Sequence, residues 1–184
     1  MIDRLRSRSL AGFTLVELMA VVAIVAVLAV VATFSYKRYM RRARHLEGSA
    51  FLLDLKLKQE SYFMTYSRYL SSGTDENAFF PAASDFDPEK IPVPWPEWKC
   101  GVTEDLAVVR FCELGVKPQS DLTYFQYVTV GWSPGVSPPS GYIKDATRRW
   151  WIARARTYPE NSDKHWMELR LTSEFSDIAE FDGP

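Results

Sequence analysis

Apolar and polar positions divide the chain into three stretches with different periods. From Ala11 to Phe34 the run AGFTLVELMAVVAIVAVLAVVATF is apolar on every side of a helix and is interrupted by one acid, Glu17. Phe13 to Phe34 would form a helix of about 33 Å, enough to cross the hydrocarbon interior of a bilayer, so the run predicts a membrane span. A secretory signal peptide would be shorter and end in a small-residue cleavage site. Here helix formers continue through SYKRYMRRARHLEGSAFLLDLKLKQESYFMTYSRYL. No proline occurs between Leu10 and Ser72, and the only glycines there are Gly12 and Gly48. One helix is therefore expected from about Phe13 to Tyr66, on the order of 80 Å long.

The second half of that helix has two apolar faces. At about 100° per residue, Leu46, Ala50, Leu53, Leu57 and Met64 share a narrow arc and are expected on the core of the chain's own domain. Phe51, Leu55, Tyr62 and Tyr66 cluster on the opposite face, as scattered surface apolars or as a face covered by a neighbouring subunit.

From about Ser71 the pattern changes again. The stretch SSGTDENAFFPAASDFDPEKIPVPWPEW is rich in turn formers, and Pro92, Pro94 and Pro96 exclude a regular helix, which predicts a wrapping loop. Four strand-like runs follow: Leu106 to Leu114, Leu122 to Trp132, Arg148 to Thr157 and His165 to Phe175. In the second, both alternating faces are partly apolar, as in a central strand with the helix on one side and loops on the other. The expected fold is α+β, with a long helix against an antiparallel sheet of about four strands and no internal repeat.

Charge and chemistry narrow the function classes. The formal net charge of −1 and a sequence pI of about 6.2 provide no global basic field for nucleic acid. Cys100 and Cys112 are too few and too far apart for a zinc ligand set, but could form one disulfide in an oxidising compartment. His45 and His165 are isolated, and there is no Gly-rich phosphate loop, HExxH or GxSxG. The acids of SDFDPE lack the alternation of a calcium loop and read as solvated turns. No enzyme, cofactor or metal site is expected. Trp95, Trp98, Trp132 and Trp150 are assigned to the core rather than to a binding surface.

A carboxylate inside a bilayer costs a few kcal/mol, so Glu17 calls for a partner, or else snorkels to the interface. It is preceded by MIDRLRSRSLAG, a short polar leader with Arg4, Arg6 and Arg8, ending in Gly12. The string Gly12-Phe13-Thr14-Leu15-Val16-Glu17-Leu18-Met19 resembles the processing motif of type IV prepilins and type II secretion pseudopilins. FCELGVKPQSDLTYFQY is similar, less specifically, to the helix-to-sheet connection of some pilin headgroups.

The resemblance implies a type IV pilin fold and cleavage by a prepilin peptidase between Gly12 and Phe13, with methylation of the new Phe13 amine. It implies that Glu17 pairs with that amine on another subunit during assembly. Ala26 and Phe34 stand where major pilins commonly have glycine and proline, which favours a minor pilin or a pseudopilin. The implied organisation is a cytoplasmic leader over 1–12, a transmembrane and polymerisation helix over 13–34, a second helical half over 35–70, and a globular β headgroup over 71–184. The implied function is a structural subunit, a minor pilin, of a type IV pilus. The alternatives are a type II secretion pseudopilin, or a pilin whose headgroup acts as an adhesin or DNA-binding module.

Implied partners are the prepilin peptidase, other pilin subunits, the inner-membrane assembly machinery and, before assembly, membrane lipid. No nucleic-acid partner is assigned. The implied location is the inner membrane, single-pass with a periplasmic headgroup, and then the pilus at the cell surface. Lys37, Arg38, Arg41, Arg42 and Arg44 follow the span, so a bare positive-inside count would place the headgroup in the cytoplasm. The processing motif overrides that count, and the basic run reads as a collar near lipid headgroups rather than a DNA-capture patch. Export favours a Cys100–Cys112 disulfide, worth about 3 kcal/mol in the chain-entropy model, over a pair of buried free thiols.

Overall fold

The computed structural model describes residues 12–82, 92–95, 105–133, 135–157 and 167–182. The chain divides into two compact units, Met1–Ala43 and Arg44–Pro184. A long helix, α1 (Leu15–Tyr66), supplies most of the first and enters the second. It stops because Ser67 turns into the left-handed region at φ 55° while its N–H reaches the Phe63 carbonyl at 2.8 Å.

The remaining elements are β1 (Val93–Pro94), α2 (Leu106–Leu114), β2 (Leu122–Thr123), β3 (Phe125–Gly131), β4 (Trp151–Thr157), β5 (Met167–Thr172) and β6 (Ala179–Asp182). The four longer strands form one antiparallel sheet in chain order, β3-β4-β5-β6, and β1 pairs with β2 in a two-stranded ladder. The fold is α+β, a long amino-terminal helix with a four-stranded antiparallel sheet, in line with the pilin architecture.

One of the four expected strands is a helix, and the sheet takes its fourth strand from a segment not assigned as one. Leu106–Leu114 is a helix, not a strand. Asp105 caps it by accepting from the Ala107 and Val108 amides, and Gly115 ends it at φ 70° with its N–H on the Cys112 carbonyl. Asp and Gly bound strands as readily as they cap helices, and Val108 and Val109 pulled the assignment towards β. Val108, Phe111 and Leu114, three residues apart, share the buried face, which is a helical spacing. The fourth strand of the sheet is instead β6, a four-residue acidic segment too short to show a period.

The packed face of α1 is also the reverse of the one expected. Phe51, Leu52, Leu55 and Tyr62 are buried against the sheet, with Phe51 only 3% exposed. Leu46, Leu53, Leu57 and Met64 face outward, at 68%, 46%, 69% and 84% exposure, and so does Tyr66. Two residues that an apolar count passes over decide the orientation. Gly48 is buried where α1 crosses the sheet, and a Cβ there would lie 2.8 Å from Leu169 and 3.0 Å from Phe125. Gln59 is fully buried, donating to the Leu70 carbonyl and Thr129 Oγ1 and accepting from the Leu70 amide.

The inner core joins α1, α2 and the sheet. Phe51 stacks on Tyr127 at 3.7 Å between ring centres, and Trp95 packs on Phe51, Phe80, Phe111 and Tyr127. A second cluster on the other sheet face gathers Phe79, Val128, Val130, Trp150 and Ile152, so β3 is buried on both faces as expected. Trp95 and Trp150 are core residues, as assigned, whereas Trp98 lies outside the described residues. The free edge of β3 is covered by the segment after α1: Ser72 N–H bonds the Thr129 carbonyl, and Phe80 and Tyr127 exchange backbone hydrogen bonds.

Candidate processing and assembly segment

The amino-terminal unit is built from a few polar contacts and a long apolar surface. Gly12, Phe13 and Thr14 are non-helical, so the Gly12–Phe13 peptide lies just ahead of α1, with Phe13 86% exposed. Nothing lies within 4 Å of a Cβ placed on Gly12, so no steric demand within the described chain requires a glycine there.

Thr14 and Glu17 form a reciprocal cap. The Glu17 amide donates to Thr14 Oγ1 at 3.2 Å, while the Thr14 amide and hydroxyl both donate to Glu17 Oε2 at 2.9 Å. This satisfies donors that the first turn of any helix leaves open, and it places a negative charge at the positive end of the helix dipole. The sequence carried the signal as Thr14-Leu15-Val16-Glu17, a Thr-x-x-Glu capping box at the start of an apolar run, which the reading of Glu17 as a membrane charge had passed over. Glu17 thus has a local partner within its own chain.

Beyond the cap, α1 contains a window of mean hydropathy 2.9, none of it buried by other parts of the chain, long and apolar enough to cross a membrane. The hydroxyl near the carboxyl-terminal end of the apolar run is satisfied internally, with Thr33 Oγ1 donating to the Ala29 carbonyl at 2.8 Å. The helix runs unbroken past Ala26 and Phe34.

In the carboxyl-terminal unit, polar contacts lock α1 to the sheet. Glu47 Oε1 accepts from Thr123 Oγ1 at 2.8 Å and from the Tyr124 amide at 3.1 Å, and Trp151 Nε1 donates to Glu60 at 2.8 Å. Burial pushes the Glu47 carboxyl above its ordinary value, partly offset by those hydrogen bonds and by Arg44. Arg44, the last residue of the basic run, lies 4.6 Å from the Tyr124 ring centre. Of the two cysteines, Cys112 stands on α2 rather than on the strand expected for it, and Cys100 lies outside the described residues. The leader before Gly12 and His165 also lie outside them.

The family model of the prokaryotic N-terminal methylation motif matches residues 8–33. No curated protein and no solved structure matches the chain. The matched stretch contains the Gly12–Phe13 junction, the Thr14–Glu17 cap and most of the apolar window, so the comparison and the geometry single out the same segment.

Proposed function

We propose that this chain, which carries the amino terminus of a type IV pilin- or pseudopilin-like prepilin, is a structural precursor and a minor subunit of a type IV pilus. Prepilin peptidase cuts between Gly12 and Phe13, the new Phe13 amine is methylated, and the headgroup faces the periplasm before assembly. The parts are the leader 1–12, the span 13–34, the second helical half 35–70 and the headgroup 71–184. The observation that carries the reading is the Gly12–Phe13 junction: an exposed, non-helical peptide inside the matched motif, with a glycine that its own fold does not need.

The assembly chemistry rests on Glu17. In a single chain its carboxylate caps its own helix, and in a filament it pairs with the cationic Phe13 amine of a neighbour. Two charges that are each costly in hydrocarbon become tolerable together, and the pairing selects one axial register. The outward face of α1, with Leu46, Leu53, Leu57 and Met64, supports lateral packing of subunits, because a contiguous exposed apolar stripe commonly marks an interaction surface. Continuous helix past Ala26 and Phe34 supports the minor assignment. Export completes the proposal with a Cys100–Cys112 disulfide.

Replacing Gly12 with Val should leave an uncut precursor, read as a mass that retains the leader. A normally cleaved Gly12 variant would remove the prepilin reading. Mass spectrometry of sheared surface filaments tests the pilus assignment: the chain is expected there at a small fraction of the dominant subunit. Its confinement to the periplasm would move it to a secretion-system filament.

A further inference from the structure

The sheet face turned away from α1 carries alternating guanidinium groups and rings. Arg156 lies 4.2 Å from the Phe79 ring centre, and Arg154 lies 4.9 Å from Phe79 and 5.5 Å from Tyr142. Arg170 lies 5.1 Å from Tyr142 and 4.1 Å from Phe181. The buried Glu168 takes Arg154 on both oxygens, at 2.6 and 3.0 Å, and Arg170 Nε on Oε1. Burial opposes ionisation of Glu168, but the hydrogen bonds and charges of the two arginines outweigh it and hold the carboxyl below its ordinary value. Two guanidinium groups, Arg154 and Arg170, thus share one carboxylate, which leaves that trio one positive charge in excess, while Arg156 donates to Gln126 Oε1.

Arg170 is where that excess becomes available. Its Nε is pinned by Glu168 and its guanidinium carbon lies within cation–π reach of two rings, while its two terminal amino groups have no partner among the described residues. Arg170 lines a cavity of about 430 Å³, walled by Tyr142, Phe175, Ile178 and Phe181. The wall is braced: Glu174 accepts from the Lys144 and Asp145 amides at 2.9 and 2.8 Å, and the Lys144 ammonium sits 5.3 Å from the Phe175 ring centre.

We propose that this cavity binds a single carboxylate carried on an apolar or aromatic body, with Arg170 as the anion-recognising group and Phe175 and Phe181 as walls. A planar guanidinium fixed at Nε and in contact with two rings is pre-organised to give a carboxylate its two terminal N–H groups in parallel, so little rotamer entropy is lost on binding. The volume suits a ligand with one ring. Glu174 and Asp177 also line the cavity, and their charge opposes a polyanion such as nucleic acid more strongly than a single carboxylate placed on Arg170. The same chemistry is offered by a free small acid and by the terminal carboxylate of a polypeptide. The site is independent of the filament reading.

The test uses the full chain in detergent micelles and ligand-observed NMR titration with 3-phenylpropanoate, 3-phenylpropanamide and a tetrapeptide ending in phenylalanine. Carboxylate probes should bind saturably and the amide, which also controls for partition into micelles, about tenfold or more weaker. Arg170→Gln should weaken the carboxylates by a similar factor. Phe175→Ala, at a part-exposed rim position, should weaken them several-fold without changing the unfolding midpoint. Binding by the free acid identifies a small-molecule site, and binding by the tetrapeptide alone identifies a polypeptide terminus. Equal binding of acid and amide, or no saturable binding by any probe, would overturn the proposal even if Arg170→Gln failed to fold. Undiminished carboxylate binding in a folded Arg170→Gln chain, or in Phe175→Ala, would overturn it as well.

Discussion

One helix, α1, serves two units by opposite rules. From Leu18 to Phe34 its side chains are apolar on every side and exposed, and the polar contacts of that stretch and its cap are local: Thr14 with Glu17, and the Thr33 hydroxyl on Ala29. From Arg44 onward one face is packed to near-zero exposure and tied by Glu47, Gln59 and Glu60 to residues far along the chain. The difference shows that apolarity states a need for cover without saying what provides it. In the first stretch the cover must come from outside the chain, lipid or other subunits. In the second it is split between the sheet and an outward stripe.

That contrast breaks most visibly at the packed face. Phe51→Ala should cost the carboxyl-terminal unit about 3–5 kcal/mol in chemical unfolding, because it empties a fully packed aromatic site. Leu57→Ala, on the outward stripe, should stay within about 0.5 kcal/mol and lower filament incorporation instead. Equal stability losses for the two would contradict the observed orientation of α1.

Glu17→Gln sharpens the other side. Loss of one member of a buried ion pair typically costs about 3–5 kcal/mol, so incorporation into filaments should fall sharply. Insertion and cleavage should persist, and the unfolding midpoint of the carboxyl-terminal unit should not move. A cleaved variant that enters filaments as well as the native chain would remove the pairing role and leave the capping box as the function of that carboxylate.

Smaller effects test the seams of the packed unit. Gly131→Ala should cost about 1–3 kcal/mol, since a Cβ would sit 2.5 Å from Tyr69 Cβ and 2.8 Å from its carbonyl carbon. Ser67→Gly should gain about 1 kcal/mol by relieving the left-handed backbone at the end of α1. Both are read from unfolding curves of the solubilised full chain.

The pH response of Glu47 is the mildest. Its folded carboxyl binds protons more tightly than an unfolded one, so this group's contribution is most favourable below its ordinary value of 4.5 and falls as pH rises through the raised folded value. Glu47→Gln keeps an oxygen for Thr123 and Tyr124 and removes the charge, so stability should lose that fall. An unchanged pH profile would show that Glu47 is not its source.

Legibility followed the physics of each element. The span was readable because crossing a bilayer is a property of a contiguous run, and the Gly12–Glu17 string because a processing motif must present itself in linear order. The length of α1 followed from the absence of proline, and β3 from its doubly apolar alternation. The Thr14–Glu17 cap is equally local, a Thr-x-x-Glu box at the start of an apolar run.

Sequence by itself therefore determined where the helix begins and ends, that its apolar run calls for cover, that a sheet follows, and which segment carries the methylation motif. Tertiary structure alone decided which face of α1 meets the sheet. Two apolar arcs compete there, and the choice depends on the fit of Gly48 against Phe125 and Leu169 and on Gln59 finding partners at Leu70 and Thr129. It also made a helix of Leu106–Leu114, where caps and the packing of Phe111 outweigh β-branched propensity, and a strand of Ala179–Asp182, whose pairing with β5 supplies what four residues cannot encode. Arg170 shows the same division: its charge is in the sequence, but its contact with two rings and its fixed Nε exist only because β5, β6 and the loop of Tyr142 meet.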